Sequence, residues 1–171
     1  DDEERVKRKL EEVLRKHKEV VDEVIERHRR SHKRHRDMLR EVDKKHRRIL
    51  TELEKAGVDE KIIREAKEHV DRSREKLKES DERNEENIKK VTKELRESHK
   101  RLRDKVKELA EANLPVEDLK RVLEDLDREV RESKERARKH VEDNERKVEE
   151  SKKRADDNLR RLERKIREAA R

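Results

Sequence analysis

Three histidines stand at positions 28, 32 and 35 of the stretch HRRSHKRHRD, residues 28–37, among basic residues and beside Ser31. On a helix the spacings i, i+4 and i+7 stack such side chains on one face. Imidazoles so placed have three chemistries open to them. They can ligate a transition metal, take up a proton just below neutral pH, or pair as neutral donor–acceptor groups with hydroxyls and amides. The flanking arginines and lysines add a fourth reading, an arm for nucleic acid. Five more histidines, at 17, 46, 69, 99 and 140, must be placed before these readings can be separated.

The elements that position them are legible from loop chemistry. The chain of 171 residues has one Gly, one Pro, no Cys and no aromatic residue, and 60% of it is charged. Such a balance alone signals disorder, but helical periodicity overrides it. Loop residues cluster in only two places. In AGVD, residues 56–59, Gly57 suits the left-handed position after a helix and Asp59 suits a cap. In ANLPVED, residues 112–118, Asn113 suits the helix end and Pro115 the first turn of the next. The spacing therefore predicts helices over about 1–56, 59–113 and 115–171, with loops near 56–59 and 112–118. Each would run ~80 Å at 1.5 Å per residue.

Every segment carries one seam at spacings of three and four, as in Val6, Leu10, Val13, His17, Val21, Val24 and His28. One seam per helix predicts an all-α, up-down-up three-helix bundle of long, coiled-coil-like helices, spanning residues 1–171 as one domain. Antiparallel pairing matches residue i with roughly 115 − i across the first loop, and j with roughly 228 − j across the second. The basic stretch 27–36 then faces Glu79, Asp81, Glu82, Glu85 and Glu86, and lies level with Glu142, Asp143, Glu145 and Glu149. Charge pairing of this kind sets helix orientation in bundles, and it gives the basic run partners inside the chain.

Uncharged polar residues are confined to the seams. All eight histidines, all six serines and four of the five asparagines lie on or beside one. A seam covers roughly three positions in seven, so chance would place eight of eight histidines there on the order of one time in a thousand. The register brings them together in layers. His28 falls level with Asn87 and near His140; Ser31 and His32 with Asn84 and Asn144; His35 with Ser80 and near Ser151. His46 meets His69 and Asn158, and His17 meets Ser98 and His99. Ser73 and Ser133 complete the polar seam positions. A buried polar group without a partner costs about 1–3 kcal/mol, so these layers are expected to form hydrogen-bond networks across the core.

The chain as a whole resembles de novo designed helical bundles with buried hydrogen-bond networks, in particular those whose networks contain histidine so that acid disrupts them. The equal helices, the AGVD and NLPVED loops, the restricted alphabet and the seam-bound His, Ser and Asn carry this resemblance. It implies a structural protein whose polar layers specify packing and whose folding or assembly responds to pH. Relatives in that class are often oligomers of hairpins, whereas this chain supplies three helices itself, so self-association stays open.

Other functions weigh less. Metal binding at His28, His32 and His35, or at His46 with His69, lacks a cysteine or an inward carboxylate to complete a site. An oligomerisation or interaction module is the second alternative. No cofactor and no obligatory partner is expected. Nucleic-acid binding is disfavoured because the basic run is matched internally and no aromatic stacks on bases. Membrane insertion at neutral pH is disfavoured by the interrupted apolar stripe. DDEERVKRKL does not read as a targeting signal, and a soluble protein is expected. Ser31–His32 and Ser98–His99 pair a nucleophile type with a base type, but sequence neighbours on a helix do not face each other, so no catalytic residue is expected.

Overall fold

A computed structural model describes residues 2–169. It contains three helices, α1 (Asp2–Lys55), α2 (Glu60–Glu111) and α3 (Val116–Ala169), and forms an all-α three-helix bundle. The expected helix positions at residues 1, 170 and 171 lie outside the described residues.

The first connection follows its sequence. Gly57 adopts φ +64°, the left-handed conformation that residues with a Cβ rarely take. The Asp59 carboxylate accepts from the Lys61 amide at 3.1 Å, and the Asp59 carbonyl accepts from Ile63 at 3.2 Å. These are the bonds of an N-cap. The second connection departs from expectation. No described residue other than glycine has positive φ, so Asn113 does not form a left-handed cap. Helix α2 stops at Glu111 instead of residue 113. Pro115 precedes α3, and its carbonyl accepts the first helical bond from Leu119 at 3.1 Å. Proline fits there because it has no amide hydrogen to leave unpaired.

The chain divides into two compact units, each drawing on all three helices. The first comprises residues 1–29 and 87–143. Its core is built on Leu10, Val13, Val106, Leu126 and Val130, with a second cluster of Val20, Val24 and Val141. The second unit comprises residues 30–86 and 144–171. Ile49, Leu53, Ala66, Val70, Leu159 and Leu162 form its main core, and Met38, Val42 and Ala155 a smaller one. Met38 is buried while Leu39, the residue the seam selects, is only half-buried. Burial is uneven among the helices. No residue of α2 between Val70 and Val106 is fully buried, whereas α1 places apolar or histidine side chains in the core along its length. The seam of α2 there is carried by Ser73, Ser80, Asn84, Asn87, Ser98 and His99, all half-buried.

Candidate functional site

The polar layers fall into three kinds of environment. In the first unit, His17 on α1 is buried and its ring stacks on that of His99 on α2, with centroids 5.2 Å apart and planes inclined by 6°. Their Nδ1 atoms are 3.0 Å apart. One ring must donate its N–H while the other offers a lone pair, so at least one is neutral. Burial, then the neighbouring His99, lowers the pKa of His17. Burial, then Arg103 and Lys18, lowers that of His99, against a smaller upward pull from Asp22. Ser98 and Ser133 line a groove with His17, as do Arg101, Lys105, Glu129 and Arg136.

A different arrangement surrounds His35 in the second unit. Its fully buried ring donates from Nδ1 to Asp81 Oδ1 at 3.2 Å, and its Nε2 lies 3.4 Å from the Ser80 hydroxyl. The same carboxylate is 3.7 Å from His32 Nδ1, which receives the Asn84 amide at 3.4 Å. Arg36 adds longer ion pairs to Asp81 and Glu85, at 3.9 and 3.8 Å. This corrects the expectation that no carboxylate turns inward. The Asp81 side chain is 18% exposed and completes a His–Asp–His cluster. Asp81 follows Ser80 at the helix seam; a charge there reads from sequence as part of the outer face, and only packing turns it inward.

His46 and His69 form the third arrangement. His46 is fully buried, and neither of its ring nitrogens has a hydrogen-bond partner. Nε2 of His69 is likewise buried and unpartnered. Burial lowers the pKa of His46 most, followed by His69; Asp43 pulls it up and Arg74 down. Burial also leads for His69, followed by the cations Lys165, Arg72 and Lys76. The unpartnered nitrogens depart from the expected fully connected network. So do the Ser31 hydroxyl and Asn84 Oδ1, buried without hydrogen bonds.

The other expected positions differ in burial. His28 is fully buried, and Asn144 is buried. His140 is exposed, which corrects its placement in the core; only its ring edge approaches His28, with centroids 5.7 Å apart at 57°. Asn158 is half-buried beside His69 in a groove of the second unit. Ser73 lines a neighbouring groove with Ser151. Ser151 accepts a weak 3.5 Å contact from Arg154 of its own helix, not a bond across the core. Among the described residues no group of three or more His, Cys, Asp or Glu side chains is arranged to hold a metal ion.

No protein family, curated protein or solved structure matches the chain. The helical bundle with buried His, Ser and Asn hydrogen bonds is therefore the functional content the chain itself displays. No helix among the described residues is long and apolar enough to cross a membrane.

Proposed function

We propose that this chain is a designed structural protein, a helical bundle whose histidine layers specify helix pairing and make folding or assembly weaken in acid. The His17–His99 pair carries the reading. Two imidazoles sharing one hydrogen bond at 3.0 Å accommodate one proton between their Nδ1 atoms but not two. Double protonation would set two donors and two positive charges face to face. A specificity role follows from the same bond, since sliding α1 against α2 would separate the two Nδ1 atoms and leave the buried His17 ring unpartnered.

The acid response has a definite sign. All four perturbed histidines have folded pKa values below the ordinary 6.5. Below that value the unfolded chain binds more protons than the folded one, so stability is fully present above about pH 6.5 and falls as pH drops toward the lowered values. Charged neighbours set the balance. Around His17 and His99 stand Lys18, Asp22, Arg101, Arg103, Lys105, Glu129, Glu132 and Arg136; around His46 and His69 stand Asp43, Glu65, Glu68, Arg72, Arg74, Lys76, Arg161 and Lys165. Cations outnumber carboxylates in the His46–His69 group, which opposes protonation further.

Guanidinium unfolding followed by circular dichroism at pH 7.4 and pH 5, with a chelator present, tests the proposal. A midpoint that drops substantially at pH 5 supports it, and coincident midpoints overturn the acid response. The reading is of a non-enzyme that needs no partner or cofactor. Metal binding is the second reading, favoured only by the unpartnered nitrogens of His46 and His69. Saturable heat on zinc titration, abolished by His46→Ala, would establish it.

A further inference from the structure

A groove between α2 and α3 in the second unit has a volume of about 400 Å³. Clefts that take small molecules run roughly 300–1,000 Å³, with mostly apolar walls and a few convergent polar groups. Ile62, Ala66, Leu162 and Ile166 supply the apolar part here. Arg72 from α2 and Arg161 and Lys165 from α3 stand along its edge. None of these three cations has an ion-pair partner among the described residues. Glu65 and Glu68 are the acids of the groove, both on α2, so the α3 edge is cationic throughout.

The groove on the opposite side of α2 in the same unit makes a useful contrast. Leu39, Val42 and Leu77 provide its apolar part, but Asp43, Asp71, Glu75 and Asp81 outnumber Arg74 and Lys78. Two of its four acids pair with cations, Asp43 with Arg74 at 2.9 Å and Asp81 with Arg36 at 3.9 Å. The two grooves thus differ in the sign of charge on offer.

We propose that the α2–α3 groove binds a small anionic amphiphile, a carboxylate on a short alkyl chain. The chain lies along Ile62, Leu162 and Ile166, and the carboxylate sits among Arg161, Lys165 and Arg72. Apolar burial and charge complementarity act together at this groove, where three cations stand against two glutamates and the α3 edge carries only positive charge. Binding is linked to the imidazole in the wall. Lys165 and Arg72 are among the cations that oppose protonation of His69. A bound carboxylate offsets their field, so His69 should take up a proton more readily in the complex, and the ligand should bind more tightly as pH falls from 7.4 toward 6. The other charged or titratable groups facing this layer are Asp43 and His46 from α1, and Glu65, Glu68, Arg74 and Lys76 from α2.

Calorimetric titration of the full chain with sodium octanoate at pH 7.0 and low salt, beside octylamine and octanol, is the test. The expected result is saturable one-to-one binding of octanoate, with octylamine inert and octanol weaker. Lys165→Ala and Arg161→Ala should each weaken octanoate about three- to tenfold, as loss of one charged contact does. In imidazole-resolved NMR the His69 Cε1 proton should move toward its charged-state position on octanoate addition. Absence of saturable heat, equal binding of octylamine, or unchanged affinity in the Lys165→Ala/Arg161→Ala double variant would overturn the proposal. Both substitutions lie on the edge of the groove, and circular dichroism checks that the variants fold.

Discussion

His17 and His35 are both buried on α1, yet they hydrogen-bond to partners of different charge. His17 faces another imidazole, and the Nδ1–Nδ1 bond of 3.0 Å fails once both rings are charged. His35 faces the Asp81 carboxylate at 3.2 Å and the Ser80 hydroxyl at 3.4 Å. Charging His35 keeps both contacts, because Nδ1–H already donates to the carboxylate and the hydroxyl can turn from donor to acceptor. The buried imidazole alone therefore does not make an acid trigger. The partner decides, and in this chain the His17–His99 and His46–His69 layers are the vulnerable ones.

The strongest way to break this comparison is to remove the vulnerable layers together. A variant carrying His17→Leu, His99→Leu, His46→Leu and His69→Leu should lose roughly half or more of the midpoint separation between pH 7.4 and pH 5, read by guanidinium unfolding. A separation unchanged from the parent would mean that the four rings with lowered pKa do not couple to folding. The next effect is that of Asp81→Ala. It removes the acceptor of a buried N–H and should cost about 1–3 kcal/mol at pH 7.4. A variant as stable as the parent at pH 7.4 would show that the Asp81 carboxylate does not hold His35.

Much of this arrangement was legible in the sequence, and the misses have a common cause. Helical periodicity placed the three helices, and Gly57 and Asp59 placed the first turn, because both signals act within a few residues. The antiparallel register followed from loop position, and the His17–His99 and His35–Ser80 contacts meet it within a residue. The sequence sets Asp81 against the basic run of α1 but not against the imidazoles, because a carboxylate beside a seam looks the same whether its rotamer points to solvent or to an imidazole. His140 was overcounted for the converse reason: it precedes Val141, which takes the buried position and leaves the histidine outside. The unpartnered nitrogens of His46 were equally invisible, because bringing polar groups level does not fix their hydrogen-bond geometry to within an ångström.

A smaller effect sharpens the distinction within the vulnerable class. His46 buries two ring nitrogens with no hydrogen-bond partner, whereas His17 has one through Nδ1. Replacing an unpartnered polar group by an apolar one of similar size is neutral or stabilising. His46→Leu should therefore raise stability at pH 7.4 by about 1 kcal/mol, while His17→Leu should lower it, because it leaves His99 without its bond. Thermal and guanidinium unfolding of the two single variants at pH 7.4 settles the order. If both lose stability equally, His46 has partners in solution and belongs with His17.

The smallest effect belongs to the surface and serves as the reference for the rest. Arg138 on α3 reaches Glu23 on α1 at 3.1 Å, with side chains 40% and 42% exposed. Such a pair joins two helices, as the His17–His99 bond does, but in water rather than in the core. Exposed ion pairs contribute about 0–1 kcal/mol, because solvent screens the attraction and two long side chains lose freedom to make it. Arg138→Ala should thus shift stability by about 0.5 kcal/mol or less, the difference fading in high salt. It touches none of the four perturbed imidazoles, so its separation between pH 7.4 and pH 5 should equal the parent's. A larger separation would mean that the outer charges, and not only the direct partners of the buried rings, govern how the bundle responds to acid.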